Sequence, residues 1–198
     1  MTAEPVLRKS RRGLECPAGN FVIDPVTPAP VAVLSHAHAD HARPGSGVYY
    51  AVESSLPILR QRLGDDADIR SVRYGETLRL GETTVSFHPA GHVLGSAQVR
   101  VSRADDTWLF TGDFKRQPDP SCEPFEVVQC DTLISEATFA LPVYRWPETG
   151  EVISELLAWW AANRAAGINS LLFCYALGKA QRVLAELLGH TDRPVLLH

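Results

Sequence analysis

Ser35-His36-Ala37-His38-Ala39-Asp40-His41 follows directly on the apolar run Val31–Leu34, and the reading of the fold turns on this junction. Four side chains able to bind a metal (His36, His38, Asp40, His41) fall within six positions of a chain that has 7 histidines in all. His36 and His38 lie two apart, so on an extended segment they project to the same side. Asp40 and His41 come as the chain turns and can face a second ion. Imidazole with carboxylate suits Zn²⁺ foremost, with Mn²⁺ or Fe²⁺ also compatible. The bland alternative, a polar loop with coincidental histidines, has to treat that density as chance.

Two later segments extend the pattern. Pro89-Ala90-Gly91-His92 places a histidine in a glycine-flanked turn after the run Thr83–His88, where Thr84, Ser86 and His88 alternate with Val85 and Phe87. Phe110-Thr111-Gly112-Asp113 places an aspartate just past a strand end, where a carboxylate can bridge two ions. Alone, each is ordinary turn chemistry; their order behind the histidine segment is what gives them weight. The spacing predicts further strands at Phe21–Asp24, Val48–Val52, Ile69–Tyr74, Ala97–Val101, Trp108–Thr111 and Thr132–Glu136. One helix interrupts them, capped by Ser54 or Ser55, with Pro57 in its first turn and Gly64 at its end. After Glu136 the texture becomes helix at Glu151–Ala166, strand at Ser170–Cys174, helix at Gly178–Leu188 and strand at Pro194–Leu197, the rhythm of a parallel α/β sheet. Trp146–Gly150 reads as the joint, giving regions 1–145 and 146–198.

With 198 residues, 45% hydrophobic and 21% charged, the chain has a globular composition and no apolar run of membrane-spanning length. The basic Arg8, Lys9, Arg11 and Arg12 are not followed by the apolar stretch of a signal peptide, so the expected location is the cytoplasm. Cys16, Cys122, Cys130 and Cys174 form no CxxC pair and read as free thiols. A net charge of −4 argues against global attraction to nucleic acid, although bound cations would add local positive charge.

The order HxHxDH, GHVLGSA, TGDF closely resembles the metallo-β-lactamase superfamily, whose fold is an αββα sandwich. The continuations Gly91–Val99, Phe110–Pro120, Leu133–Pro142 and Tyr175–Leu184 look like the β-CASP nucleases. Within that branch, Gly13–Pro25, His36–Ser46 and Phe139–Pro147 most resemble the bacterial ligase-associated DNA exonucleases. The resemblance runs from Gly13 to His198. It implies the N-terminal part of the sandwich, followed by the beginning of an α/β cap. It also implies two divalent ions, Zn or Mn, with His36, His38 and His92 on the first, Asp40 and His41 on the second, and Asp113 bridging. Asp24 matches an aspartate that orients a ligand histidine, though a turn-forming Asp before Pro25 reads almost as well. Glu136 matches the first acidic motif of the branch.

The resemblance further implies that Asp40, Asp113 and Glu136 serve catalysis, in which a hydroxide shared by two ions attacks a scissile phosphate. Nucleic acid is the implied partner, DNA before RNA, in functional association with a DNA ligase and a helicase. Arg43, Lys115 and Arg116 can grip flanking phosphates or be solvated charges, and Arg145, Lys179 and Arg182 would belong to the cap. Trp146 can stack on a base or simply pack. His88 reads as structural, His190 as a helix-end residue, and His198 matches no motif. The competing readings are a thioesterase or lactonase on the same scaffold, an RNA-processing nuclease of the branch, and an inactive fragment. The last arises because the family's returning strands, with a further ligand histidine and an acid histidine, have no counterpart before His198.

Overall fold

In the computed structural model, which describes residues 4–197, the apolar runs of the first half of the chain pair into two sheets. The first contains β1 (Arg8–Ser10), β2 (Gly13–Cys16), β3 (Phe21–Ile23), β4 (Val31–Val33), β5 (Val48–Val52) and β6 (Ile69–Val72), in that spatial order. Its first three strands are antiparallel, and β3 to β6 run parallel. The second contains β7 (Thr77–Leu80), β8 (Thr83–Pro89), β9 (Ala97–Arg103), β10 (Asp106–Phe110) and β11 (Thr132–Ile134), in the order β11-β10-β9-β8-β7. It is antiparallel except for the parallel pair of β10 and β11. Two sheets with few helices make a mixed α/β architecture.

The sheets share one core. Phe21, Ile23, Val33, Val52 and Val72 of the first join Val85, Phe87, Val99 and Val101 of the second in a single buried cluster. The alternation of β8 sets this up: Val85 faces Val101 and Phe87 faces Val99 across the ladder, all four being fully buried. Burying a Phe or Val side chain is worth about 1.5–3 kcal/mol, and these pairs fix the strand register because a one-residue slip would turn each of them outward.

The topology gathers strand ends at one edge. β3 and β4 are parallel, so the residues following each emerge side by side. In the second sheet the β8–β9 turn and the end of β10 lie on a common side, because β9 is antiparallel to both neighbours. β11, parallel to β10, delivers Glu136 there as well. The amide of Ala97 donates to the carbonyl of Ser35 at 2.7 Å and ties the two edges together.

The chain divides into two compact units, Met1–Glu136 and Ala137–His198. The joint expected at Trp146–Gly150 therefore lies inside the second unit, where α2 (Thr149–Ala165) and α3 (Lys179–Leu187) are linked by a hydrogen bond from Arg182 Nη2 to Thr149 Oγ1 at 2.7 Å. Both helices match the expected positions to within two residues at either end. The strands expected at 170–174 and 194–197 do not form among the described residues. A strand is made by its ladder bonds, and neither segment has a backbone partner there; Leu171 and Phe173 stay 74% and 88% exposed. His198 lies outside the described residues.

In the first unit α1 (Leu56–Leu63) ends at Gly64, which takes a positive φ of 101° as expected. The serine caps do not operate: Ser55 Oγ donates backwards to the Val52 carbonyl at 2.6 Å, and a short 3₁₀ turn precedes the helix. Strands β1, β2 and β7 were not expected from the sequence. All four cysteines are free, Cys16 buried and the others half-buried. No helix among the described residues is long and apolar enough to cross a membrane.

The core assignment has a direct check. Phe87→Ala should lower stability to denaturant by about 3–5 kcal/mol. Phe173→Ala, at an exposed position, should stay within about 0.5 kcal/mol of the parent.

Candidate metal centre

The histidine segment leaves β4 and turns at once. The amides of His41 and Ala42 both donate to the carbonyl of His38, at 3.1 and 2.8 Å. That turn separates His36 and His38 from Asp40 and His41. At the end of β3, Asp24 has a positive φ of 43° and directs its carboxylate across to the neighbouring strand end. Its Oδ1 accepts from the Ser35 amide at 2.7 Å, and its Oδ2 lies 2.5 Å from Ser35 Oγ and 2.8 Å from His41 Nδ1.

His92 reaches the same place from the β8–β9 turn. Ser96 Oγ accepts from the amides of His92 and Val93, at 3.0 and 3.1 Å, and closes that turn. Gly91 is required: its φ is +71°, and a Cβ there would lie 2.3 Å from the Lys115 carbonyl oxygen. Gly112 is required for the same reasons before Asp113, since at φ +56° its Cβ would sit 2.7 Å from Ser35 Cβ.

The result is a convergence of four donors. One ligand-capable atom from each of His36, His38, His92 and Asp113 lies within 4.8 Å of all the others. His38 Nδ1 faces His36 Nε2 at 3.0 Å and His92 Nε2 at 3.2 Å. Asp113 Oδ2 is 3.8 and 3.7 Å from the same two Nε2 atoms. Zinc–nitrogen bonds of about 2.0–2.1 Å put neighbouring donors of a tetrahedral shell roughly 3.3 Å apart, so this donor set has the spacing and chemistry of a metal shell. The other oxygen of Asp113, Oδ1, faces His41 Nε2 at 3.4 Å, and Asp40 Oδ2 is 3.6 Å from that same nitrogen. Asp113 therefore stands between two groups of donors.

Burial shapes the charge states. His36 is held well below the usual imidazole range, first by burial and then by the neighbouring His41, His92 and His38. His92 is lowered to about 4, by burial and then chiefly by His38. Burial raises Asp113, and the carboxylates Glu136 and Asp40 add to it while His41 opposes. Burial also works against protonation of His41, but Asp24, Asp113 and Asp40 outweigh it and the net shift is upward. At neutral pH His36 and His92 are uncharged, each keeping one ring nitrogen with a free lone pair, as ligation requires.

Glu136, half-buried past the end of β11, is close enough to influence both His92 and Asp113. The basic residues separate. Arg43 is occupied with the carbonyls of Asp40 and Val26, both at 3.2 Å. Lys115 is bound to the buried Asp119, whose carboxylate also accepts from the amide and hydroxyl of Ser121 at 2.9 and 2.6 Å. Neither is free to grip a phosphate without breaking these bonds, whereas Arg116 is exposed and makes no hydrogen bond or ion pair of this kind among the described residues. Arg145 and Lys179 are exposed in the second unit, where Arg182 bonds Thr149. His88 packs between Ser86 Oγ at 3.0 Å and Glu126 at 3.1 Å, a structural role as expected, and His190 lies in the turn after α3. Sequence reading gave no role to Ser35, Ser96 or Asp119, although each sits in or beside a motif it had singled out.

No protein-family model matches the chain. It is 31% identical over 192 residues to a probable DNA ligase of Opitutus terrae, covering 96% of this chain and 19% of that protein. It is 28% identical to a ribonuclease of Thermus thermophilus, covering 81% of this chain and 43% of the relative, and 33% identical over 122 residues to the ysh1 endoribonuclease of Aspergillus fumigatus. These relatives are nucleic-acid enzymes by name. Joined to the HxHxDH segment, they point to the metallo-β-lactamase/β-CASP nucleases. The chain spans about a fifth of the ligase relative and under half of the ribonuclease. A solved structure of a protein of unknown function from Enterococcus faecalis matches with a TM-score of 0.47 and 15% identity over 67% of this chain and 39% of that one.

The depressed histidines make a pH prediction for metal-free protein. A histidine whose folded pKa is lowered adds stability that is complete above its ordinary value of 6.5 and drains away as pH falls, for His92 towards about 4. His36 acts in the same sense and His41, raised, in the opposite one. The urea midpoint should fall from pH 7 to pH 5, and His92→Gln should narrow that difference. An equal difference in both proteins would show that His92 is not held neutral by the fold.

Proposed function

We propose that this chain carries the metal-binding part of a metallo-β-lactamase-type nuclease. The observation that carries the reading is the placement of Asp113, with one carboxylate oxygen towards His36 and His92 and the other towards His41. His36, His38 and His92 would hold one divalent ion, Asp40 and His41 a second, and Asp113 would bridge them. Zinc and manganese are the candidates, because the donors are imidazole and carboxylate with no thiolate among them. Bound there, such ions supply Lewis acidity and a water of lowered pKa.

The protein's own part is orientation and proton handling. Asp24 holds the turn that presents His36 and His41, and Gly91 and Gly112 bring His92 and Asp113 in without steric conflict. Glu136, whose charge is felt at His92 and Asp113, would be the further carboxylate serving catalysis. Asp40, 74% exposed at its side chain, is the most open donor of the set. Arg116 is the cation best able to bind a neighbouring phosphate.

DNA is the substrate we favour, because the relative matched over 96% of this chain is named as a DNA ligase, and a nuclease that trims ends for a ligase is a coherent pairing. The second reading, RNA, is supported by the two relatives named as ribonucleases. Exonuclease action in a ligase-associated repair system, with a helicase as a further partner, is the finer form of the first reading. In either case the negative overall charge requires binding to be local to the centre.

Purified protein dialysed against Zn²⁺ or Mn²⁺ should retain at least one ion per chain by elemental analysis, and the His36→Ala, His38→Ala double variant should retain none. Metal-loaded protein should bind a single-stranded DNA oligonucleotide with a steep salt dependence, and Arg116→Ala should reduce the logarithmic salt slope by about 1. Retention of metal by the double variant would overturn the centre. Salt-independent binding would overturn the nucleic-acid reading while leaving the centre intact.

A further inference from the structure

We propose that Ser35 is a positioning residue that relays the pull of Asp24 to His36, so that one carboxylate sets the tautomer of a histidine in each half of the centre. The proposal rests on the proposed metal centre, and it follows from a count of protons. An ionised carboxylate only accepts hydrogen bonds. Asp24 Oδ2 lies 2.5 Å from Ser35 Oγ, and Oδ1 lies 2.7 Å from the Ser35 amide. A hydroxyl has one proton to give, and a charged acceptor at 2.5 Å takes it ahead of the neutral ring nitrogen His36 Nδ1 at 3.0 Å.

Ser35 Oγ then turns only lone pairs towards His36 Nδ1. That contact is a hydrogen bond only if Nδ1 carries the ring proton, which leaves the lone pair on Nε2. Nε2 is the atom that faces His38 Nδ1 at 3.0 Å and Asp113 Oδ2 at 3.8 Å. The same counting applies to His41, whose Nδ1 donates to Asp24 Oδ2 at 2.8 Å and whose Nε2 lone pair faces Asp113 Oδ1 at 3.4 Å. Asp24 thus acts on His41 directly and on His36 through one hydroxyl.

The surroundings hold this relay in place. Ser35 is 1% exposed and the His36 side chain 0%, so bulk water does not compete for either partner. The Ala97 amide anchors the Ser35 carbonyl at 2.7 Å. A purely structural Ser35 would satisfy Asp24 and leave the His36 tautomer to chance; a relay fixes it.

The test reads the tautomer directly. Long-range ¹H–¹⁵N imidazole spectra of the metal-free protein at one fixed pH should show His36 as the Nδ1–H form in the parent. They should show a mixture of both tautomers in Ser35→Ala and recovery of the Nδ1–H form in Ser35→Thr, which keeps the hydroxyl. Co²⁺ affinity by chelator competition should fall about 10–100-fold in Ser35→Ala. Should Ser35→Ala fail to fold, Ser35→Cys replaces it, since a thiol is a weak donor and acceptor of similar shape. An unchanged tautomer, or unchanged Co²⁺ affinity in a variant whose parent binds Co²⁺, overturns the relay alone. A parent that takes up no Co²⁺ overturns the metal centre and the relay with it.

Discussion

The Asp24 carboxylate accepts three hydrogen bonds, from the Ser35 amide, the Ser35 hydroxyl and the His41 ring, and the geometry of the centre depends on that shared acceptor. A buried anion costs several kcal/mol unless its lone pairs are used, and here they are used by groups from the adjacent strand end. The bond network explains why a non-glycine residue adopts φ 43° at this position: the left-handed turn costs about 1–3 kcal/mol and aims the side chain across to β4 instead of along β3. The parallel pairing of β3 with β4 makes the reach short, because both strands end on the same side.

From that anchor the remaining donors follow by strand geometry. Ser35 is fixed to the second sheet by Ala97, so the loop after β4 and the turn after β8 share a frame. Gly112 passes so close to Ser35 that a methyl group would not fit, which brings Asp113 up against the same loop. The centre is therefore assembled from β3, β4, the β8–β9 turn and the end of β10, segments distant in sequence that meet only because two sheets share one core. Rigid strand ends hold donors to a tolerance that a free loop does not, which suits a centre needing fixed geometry.

The parts of this arrangement legible in the sequence were those with a strong local signature. The histidine segment, the glycine before His92 and the strand-end aspartate each have a short-range chemical reason for their residue types, and short runs bounded by turn residues located most strands to within a few residues. What escaped was non-local. β1 and β2 carry Arg8, Lys9 and Glu15, and β7 carries Arg79; these polar strands form because neighbours offer ladder bonds, not because of their own pattern. Conversely, residues 170–174 have the pattern of a strand and no ladder partner among the described residues. Lys115 read as a phosphate ligand or a solvated charge, and its actual partner was not legible because Asp119, four residues on, gives no sequence sign of being buried. Ser35 gave no sign of a role in the sequence, since its acceptor Asp24 lies eleven residues back at the end of another strand.

The electrostatics of the cluster run against ordinary folding preference. Burial and mutual proximity push His36 and His92 towards the neutral form, and burial pushes Asp113 the same way, so each group resists the charge it would bear in water. Three imidazoles and a carboxylate thus each bring a ligand-capable atom within 4.8 Å of the others, a set whose polar demands a few protons serve poorly. Hydrophobic packing of the two sheets brings the groups together, and Gly91 and Gly112 allow the close backbone approach that this needs. Such local conflict inside an otherwise consistent fold is where function concentrates. A cation would resolve it in one step, because it would be attracted to the converging donor atoms and would favour the ionised form of Asp113. In this protein, then, stability resides in the shared core, while the strand-end edge gathers the candidate donors.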